Sequence, residues 1–288
     1  IDGNMETSLA CASCLSTILA RAQAFAASQK DIATIIVPRL VPLLMSMAQG
    51  NPADEPRIVL ALSILLRIGR DLRGSLKSYG QSMTKLCVRC LNFKTTEKVA
   101  TRLLIATSES IQAETGAARI LVRAHATCLK LAIHMGFECD EAPMGIEGVE
   151  QFDDLLRVGG KFGSMQQGQE ACHKLLTLLR LIKTCVEEAS EIQVQPLLLV
   201  LQTLLTQRRV AATDSKMRIS PMAWLGLLVP IRAAALDVMA AAVDALKHHI
   251  LPHLPSVADA ILDVLIDTKT GVASKELALV RQKAYYVI

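Results

Sequence analysis

Apolar residues recur along the chain at steps of three and four, and the pattern is densest between residues 220 and 288. Because this spacing places side chains on one face of a helix, it predicts three helices there, joined by short turns. Ser220 suits a helix N-cap, Pro252 lies in a turn, and Gly271 ends the second helix. The inward-facing residues predicted for these helices are Leu225, Leu228, Ile231, Leu236, Met239, Val243 and Leu246, then Val257, Ile261, Leu262, Leu265 and Ile266, then Leu277, Val280, Ala284 and Val287.

The N-terminal half shows the same helical period. It predicts six helices before residue 135, the second of which is bent or broken by Pro38 and Pro42. These helices form pairs of about 40–47 residues, the length of HEAT and armadillo repeats. The six helices are predicted near residues 4–27, 31–49, 58–68, 75–91, 99–111 and 117–134.

The helical pattern of apolar residues is interrupted between residues 136 and 165, which are rich in glycine, proline and acids. We therefore interpret 136–165 as a loop or break between two helical regions. The predicted fold is all-α, an α-solenoid of HEAT/armadillo-like helical repeats. Residues 1–135 are its N-terminal repeats and 166–288 its C-terminal repeats, and together they form one continuous solenoid.

Composition supports helices over strands. Hydrophobic residues make up 51% of the 288 residues, but aromatic residues only 3%, and strands are normally enriched in aromatic side chains. The net charge of +4 is too small to predict nucleic-acid binding. The sequence contains no uninterrupted run of about 18 apolar residues, which is the length that predicts a transmembrane helix. No membrane partner is therefore expected. The chain starts at Ile1 and stops within a helical pattern, so we expect a longer parent protein.

No catalytic motif is present in the sequence: it lacks GxSxG, the P-loop, HExxH and the Rossmann glycines. We therefore expect a protein that is not an enzyme and needs no cofactor. Asp237, Asp244, Asp259 and Asp263 follow helical spacing and are interpreted as exposed faces.

Two motifs could hold a metal. Cys11-x-x-Cys14 and Cys87-x-x-Cys90 resemble half-sites for zinc, which takes four thiolates in a tetrahedron. Both pairs lie inside predicted helices, so we favour buried core thiols and expect no metal. The histidines at 248, 249 and 253 are interpreted as part of a turn, since Pro252 interrupts the helix that a ligand pair four residues apart would need.

Four LxxLL sequences are the candidate protein-docking motifs, because a helix that exposes this spacing docks into an apolar groove. In a leucine-rich solenoid the same spacing arises from core packing, and we favour that origin for most of them. Basic clusters around Arg67 and Arg208 are interpreted as solvated helix ends. The candidate protein-binding residues are Leu62, Leu65, Leu66, Arg208 and Arg209; the other LxxLL sequences span 40–44, 175–179 and 201–205.

The segment 280–288, VRQKAYYVI, resembles the VR-x-K-x-Y-x-x-I helix of the proline-, glutamate- and leucine-rich (PELP) proteins and their fungal relative, the Rix subunit. Three further segments resemble that family: Pro230-Ile231 with ALDV at 235–238, the helix 194–205, and the GSLK turn at 74–77. The proline- and glutamate-rich tail that gives the animal proteins their name is absent from this sequence.

The resemblance implies a non-catalytic nuclear scaffold, found in the nucleolus and nucleoplasm. Family members join a WD40-repeat Ipi-type subunit to an Ipi-type HEAT-like subunit, act on the maturing large (60S) ribosomal subunit, and help to dock the midasin AAA ATPase. Vertebrate members are also nuclear-receptor coregulators. Whether this chain self-associates stays open.

Two other classes of function compete with this scaffold. A karyopherin-like or coat-type transport adaptor has the same fold and composition, but it would show a strongly acidic inner face in repeat after repeat, which this sequence lacks. A zinc-dependent module built on the two CxxC pairs would contain bound zinc.

Overall fold

The computed structural model describes residues 30–51, 54–72, 74–111, 116–137, 139, 152, 165–188, 192–206, 221–269 and 275–287, with scattered positions between 7 and 21. Every regular element in these ranges is a helix. The all-α prediction is therefore confirmed for this part of the chain. Two compact units make up the chain, Ile1–Ala117 and Ala118–Ile288.

The first unit contains four α-helices between residues 37 and 111. Helix α1 spans Val37–Ala48, α2 Glu55–Asp71, α3 Gly80–Cys90 and α4 Glu97–Ile111. Helix α2 packs between α1 and α4, and α3 packs against α4. The core is aliphatic, because the apolar faces of these helices meet in a protein with few aromatic residues. Its largest fully buried side chains include Leu62, Leu65, Ile68, Leu76, Met83, Leu103 and Leu104.

Two prolines shape the start of this unit. A π-helix, Ile32–Ile36, precedes α1, so the helix predicted over 31–49 changes type next to Pro38. The helix is not broken in two, because the helical backbone runs on from the π-helix into α1 without a gap. Pro42 lies inside α1 and has no N–H to donate to the carbonyl of Pro38. The hydroxyl of Tyr79 donates to that carbonyl at 3.4 Å, which satisfies an acceptor that the helix itself leaves open.

The turn before α3 departs from the sequence prediction. The fourth helix was expected from residue 75, but the chain there forms the GSLK turn, then a 3₁₀-helix, Lys77–Tyr79, and only then α3. Gly74 has a φ of 86°, a conformation that favours glycine. The N–H of Lys77 then donates to the carbonyl of Gly74 at 3.2 Å, which closes the turn.

The second unit is built around one long helix. Helix α5 spans Gly116–His134, α6 Met165–Glu188, α7 Val194–Leu205, α8 Pro221–Leu246, α9 Leu254–Lys269 and α10 Lys275–Val287; a 3₁₀-helix, Lys247–His253, joins α8 to α9. Helix α8 packs against α6, α7 and α10, while α9 packs against α7 and α10. Being apolar around most of its circumference suits α8 to this central place.

By length and composition, the helical stretch Ala223–Thr268 could cross a membrane. However, 61% of its apolar window is buried inside the chain, and the stretch contains the buried Arg232. Packing against neighbouring helices accounts for its apolar character.

Helix α5 ends in a Schellman motif. Gly136 has a φ of 94°, its N–H donates to the Ile133 carbonyl at 2.9 Å, and the N–H of Phe137 donates to the Ala132 carbonyl at 3.0 Å. The motif turns the chain so that Phe137 meets Trp224 of α8, with ring centroids 5.4 Å apart. A glycine thus fixes how α5 is tied to the central helix.

The described structure divides the chain at a different place from the predicted boundary. The boundary between the two units falls after Ala117, in the first turn of α5, whereas the sequence prediction placed the break at 136–165. Most of 136–165 lies outside the described residues. Helix α5, which precedes it, has nearly the predicted bounds.

Candidate protein-interaction surfaces

The LxxLL sequences mostly build the core. The three leucines of 175–179 and of 201–205 are 0% exposed, and so are Leu62 and Leu65, while Leu66 is half-buried. Positions i, i+3 and i+4 share one helix face, and in these helices that face is covered. The core-packing interpretation is confirmed for these three sequences. Leu62 and Leu65 are therefore not available to a partner in this structure.

The sequence at 40–44 is different. Leu43 is 64% exposed, Leu40 is half-buried and Leu44 is buried. Because Leu43 and Leu44 lie on different sides of α1, the motif does not present its leucines together. Leu43 is instead continuous with the exposed Ile35 and Ile36 of the preceding π-helix, since residues seven and eight apart lie near one helix face.

Of the basic candidates, only some lie in the described residues. Arg67 contacts Asp71 at 3.2 Å, and Arg70 is exposed at the end of α2, as expected for solvated helix ends. Arg208 and Arg209 lie outside the described residues, as do Arg73, Lys216 and Arg218.

The two CxxC pairs have different environments. Cys87 and Cys90 are buried in α3, which confirms the core-thiol interpretation for that pair. Cys11 and Cys14 are exposed, so that interpretation was wrong for the first pair. Burial raises the pKa of Cys87, with the neighbouring Cys90 adding to the shift, and burial raises the pKa of Cys90 to about 11. A metal requires the thiolate, which burial disfavours.

The histidines at 248, 249 and 253 are further possible metal ligands. His248 and His249 are exposed on the 3₁₀-helix Lys247–His253, with ring centroids 4.0 Å apart, and His253 is half-buried. This agrees with the prediction of a turn with solvated histidines, although the turn is a short helix. Across the described ranges, no three His, Cys, Asp or Glu residues are grouped so as to hold a metal ion.

The carboxylates predicted to be exposed divide into two groups. Asp244 and Asp259 are exposed, as predicted, whereas Asp237 and Asp263 are half-buried. Asp237 accepts a hydrogen bond from Lys283 of α10, so it ties two helices together.

An exposed apolar face on α9 is the feature that the sequence prediction missed. Leu254, Leu262 and Ile266 are 44%, 51% and 56% exposed, and Leu251 just before the helix is 58% exposed. The prediction placed Leu262 and Ile266 inward and was wrong for both. We call Leu251, Leu254, Leu262 and Ile266 the α9 apolar face.

Packing explains why this face stays uncovered. Helix α9 buries Val257, Ala260, Ile261 and Val264 on its other side, where α7 and α10 lie. It therefore has apolar residues on two sides, and only one of them is covered within the described chain. The neighbouring helix α10 adds the exposed Leu279, Tyr285 and Tyr286. Exposed apolar side chains concentrated in one helical pair are typical of protein-binding surfaces.

The motif that carries the family resemblance has clear structural roles. Val280 and Ala284 are 1% and 0% exposed. Arg281 donates to the carbonyl of Thr268 in α9, and Lys283 donates to Asp237 in α8. These four residues hold α10 against α8 and α9, while Tyr285 and Tyr286, which follow them, face solvent.

No family model and no curated protein matches this chain.

Proposed function

We propose that this chain is a non-catalytic scaffold that binds protein partners through its helical surfaces. The α9 apolar face carries the proposal. Burying its four large side chains contributes roughly 25 cal/mol for each Å² of apolar area removed from water, whereas leaving them exposed favours aggregation. A partner that covers this face gives the exposed residues a function.

The proposed architecture is an α-solenoid of HEAT/armadillo-like pairs. Consecutive helices that pack against each other across short connections, such as α3–α4 and α9–α10, support it. Solenoids present long surfaces built from successive helices, so their binding energy is spread over many positions.

The proposed assembly is a Rix-type complex that acts in late nuclear maturation of the 60S subunit. Its support is the resemblance of the segment 280–288 and of the three shorter segments. In this role the chain bridges the WD40 and HEAT-like Ipi-type subunits and helps to dock the midasin ATPase on the pre-60S particle, in the nucleolus and nucleoplasm.

Affinity capture with mass spectrometry tests both the binding role of the α9 apolar face and the proposed Rix-type assembly. The wild-type chain should recover a WD40 subunit, a HEAT-like subunit and large-subunit ribosomal proteins. The double variant Leu262→Glu/Ile266→Glu should reduce recovery of at least one protein partner tenfold or more, because two buried charges at an interface cost several kcal/mol. The matched control Ser46→Glu/Ser63→Glu adds the same charges at exposed serines of α1 and α2 and should lose none.

The outcomes test the ribosomal assembly and the role of the α9 apolar face separately. Recovery of Ran, nucleoporins or coat proteins would overturn the ribosomal assembly in favour of a transport adaptor. Equal recovery of all partners by wild type and the Leu262→Glu/Ile266→Glu variant would overturn the role of the α9 apolar face. Circular dichroism and thermal unfolding of each variant show whether the fold is retained.

A further inference from the structure

The segment from residue 72 to residue 96 has no Asp or Glu, although acids occur on either side of it, at Asp71 and Glu97. Its described cations are Lys77, Lys85, Arg89 and Lys94, and Lys98 follows in the first turn of α4. All five are exposed. The segment comprises the GSLK turn, the 3₁₀-helix, α3 and the turn into α4.

The cations share a face with uncharged polar residues. On α3, Gln81, Ser82, Lys85 and Arg89 are exposed, while Met83, Leu86, Cys87 and Cys90 on the other side are buried. Positions 81, 85 and 89 are four apart, so they form one stripe about 12 Å long. We call Lys77, Ser78, Gln81, Ser82, Lys85, Arg89 and Lys94 the α3 basic surface.

The positive charge of this surface is not neutralised within the described chain. None of Lys77, Lys85, Arg89 and Lys94 has an ion-pair partner among the described residues. Some cations elsewhere do pair: Arg57 lies 3.7 Å from Asp54, and Lys174 lies 2.9 Å from Glu170. A row of unpaired cations without nearby acids attracts a polyanion.

We propose that the α3 basic surface binds the sugar-phosphate backbone of double-stranded RNA. Lysine and arginine contact phosphates, and serine and glutamine side chains add hydrogen bonds to phosphate oxygens. Ser78, Gln81 and Ser82 also donate to and accept from a hydroxyl, so they match the 2′-OH groups that line the wide minor groove of an RNA helix. A DNA duplex has no such hydroxyl.

The surface fits other polyanions less well. Single-stranded RNA is bound by stacking its bases on exposed aromatic side chains, and the two aromatics here, Tyr79 and Phe93, are half-buried. An acidic protein segment is normally anchored by apolar side chains at the centre of the interface. No large hydrophobic residue is exposed between 77 and 98 among the described residues.

This inference goes beyond the proposed scaffold function. It assigns a ligand to the first unit, whereas the α9 apolar face belongs to the second. It also requires none of the protein partners, so it can be tested with the purified chain alone.

Fluorescence anisotropy with a labelled RNA duplex of about 20 base pairs measures this binding across a salt series. The variant Lys85→Gln/Arg89→Gln should weaken binding about tenfold or more. It should also reduce the slope of log K against log salt by about one unit for each lost phosphate contact. The charge-preserving variant Lys85→Arg/Arg89→Lys should bind like the wild type.

The matched control is Arg57→Gln/Lys183→Gln, which removes the same charge from two cations that face carboxylates. It should keep the wild-type affinity and slope. An equal loss in this control would show that net charge alone drives binding and would overturn the proposal. Circular dichroism confirms that each variant is folded.

Competing ligands decide the class of partner. Equal affinity for a DNA duplex of the same sequence would overturn the assignment to RNA, and tighter binding of the single strand would overturn the assignment to a duplex. Binding of a poly-glutamate peptide through Lys85 and Arg89, without duplex binding, would identify an acidic protein partner instead.

Discussion

Arg232 of α8 and Asp267 of α9 form an ion pair at 2.8 Å, with the arginine side chain 7% exposed and the aspartate 23% exposed. The two residues are 35 positions apart in sequence and join the central helix of the second unit to the helix that bears the exposed apolar face. Because a buried guanidinium without a partner is costly, this contact makes the position of α9 depend on a carboxylate.

We expect Asp267→Asn to lower the free energy of unfolding by about 2–4 kcal/mol, since it removes the carboxylate charge that the buried Arg232 guanidinium faces. The double variant Arg232→Met/Asp267→Leu should recover most of that loss, because both charges are then absent. Urea unfolding followed by circular dichroism measures the difference. A double variant whose loss of stability equals the sum of the losses from Arg232→Met alone and Asp267→Leu alone would contradict this account.

Gly136 gives a second test. Its φ of 94° costs an L-amino acid about 1 kcal/mol or more, so Gly136→Ala should lower the stability by at least that amount. The variant should also disturb the contact between Phe137 and Trp224, which shifts the fluorescence of the single tryptophan. Gly226→Ala in α8 is the matched control, because no atom lies within 4 Å of its added Cβ; it should be neutral or stabilising.

The period of the apolar residues predicted the helices well, because a helix shows that period when one of its faces is covered. The predicted and observed bounds agree closely for α4 and α5, and Gly136 lies where the sequence placed the start of a break. Leu262 and Ile266 were misplaced because α9 is apolar on two sides. A period of 3.6 residues identifies apolar faces, but it does not reveal which face a neighbour covers.

The spacing of apolar residues could not predict contacts between residues that are distant in sequence. Nothing in the local sequence links Arg232 to Asp267 or Lys283 to Asp237, since these pairs depend on how α8, α9 and α10 are arranged. The exposed side of α3 is similar. Its lack of acids is visible in the sequence. Only the packed helices show that its cations have no carboxylate partners among the described residues.

The LxxLL sequences lead to a prediction that separates stability from binding. Leu178→Ala should lower the free energy of unfolding by about 2–5 kcal/mol, because its side chain is 0% exposed in α6 and truncation leaves a cavity. Leu43→Ala, at 64% exposure in α1, should change stability by less than about 0.5 kcal/mol. Thermal unfolding compares the two. Similar losses at both positions would contradict the assignment of Leu178 to the core and Leu43 to the surface.

His125 should make the stability of the protein depend on pH. Its side chain is 1% exposed in α5, neither ring nitrogen has a hydrogen-bond partner among the described residues, and burial lowers the pKa of the imidazole to about 3. The unfolded chain takes up a proton near pH 6.5, while the folded chain does so only near pH 3. Between these values the unfolded state binds more protons, so the contribution of His125 lowers stability as the pH falls.

From pH 7 to pH 5 this contribution amounts to about 2 kcal/mol. We therefore expect His125→Leu to lose about 2 kcal/mol less than the wild type over that interval, as measured by urea unfolding at each pH. The control Leu129→Ala changes a buried residue of the same helix without changing a titratable group. It should be less stable at both pH values and keep the wild-type dependence on pH. If His125→Leu and the wild type lose the same stability between pH 7 and pH 5, the imidazole is not held neutral by burial.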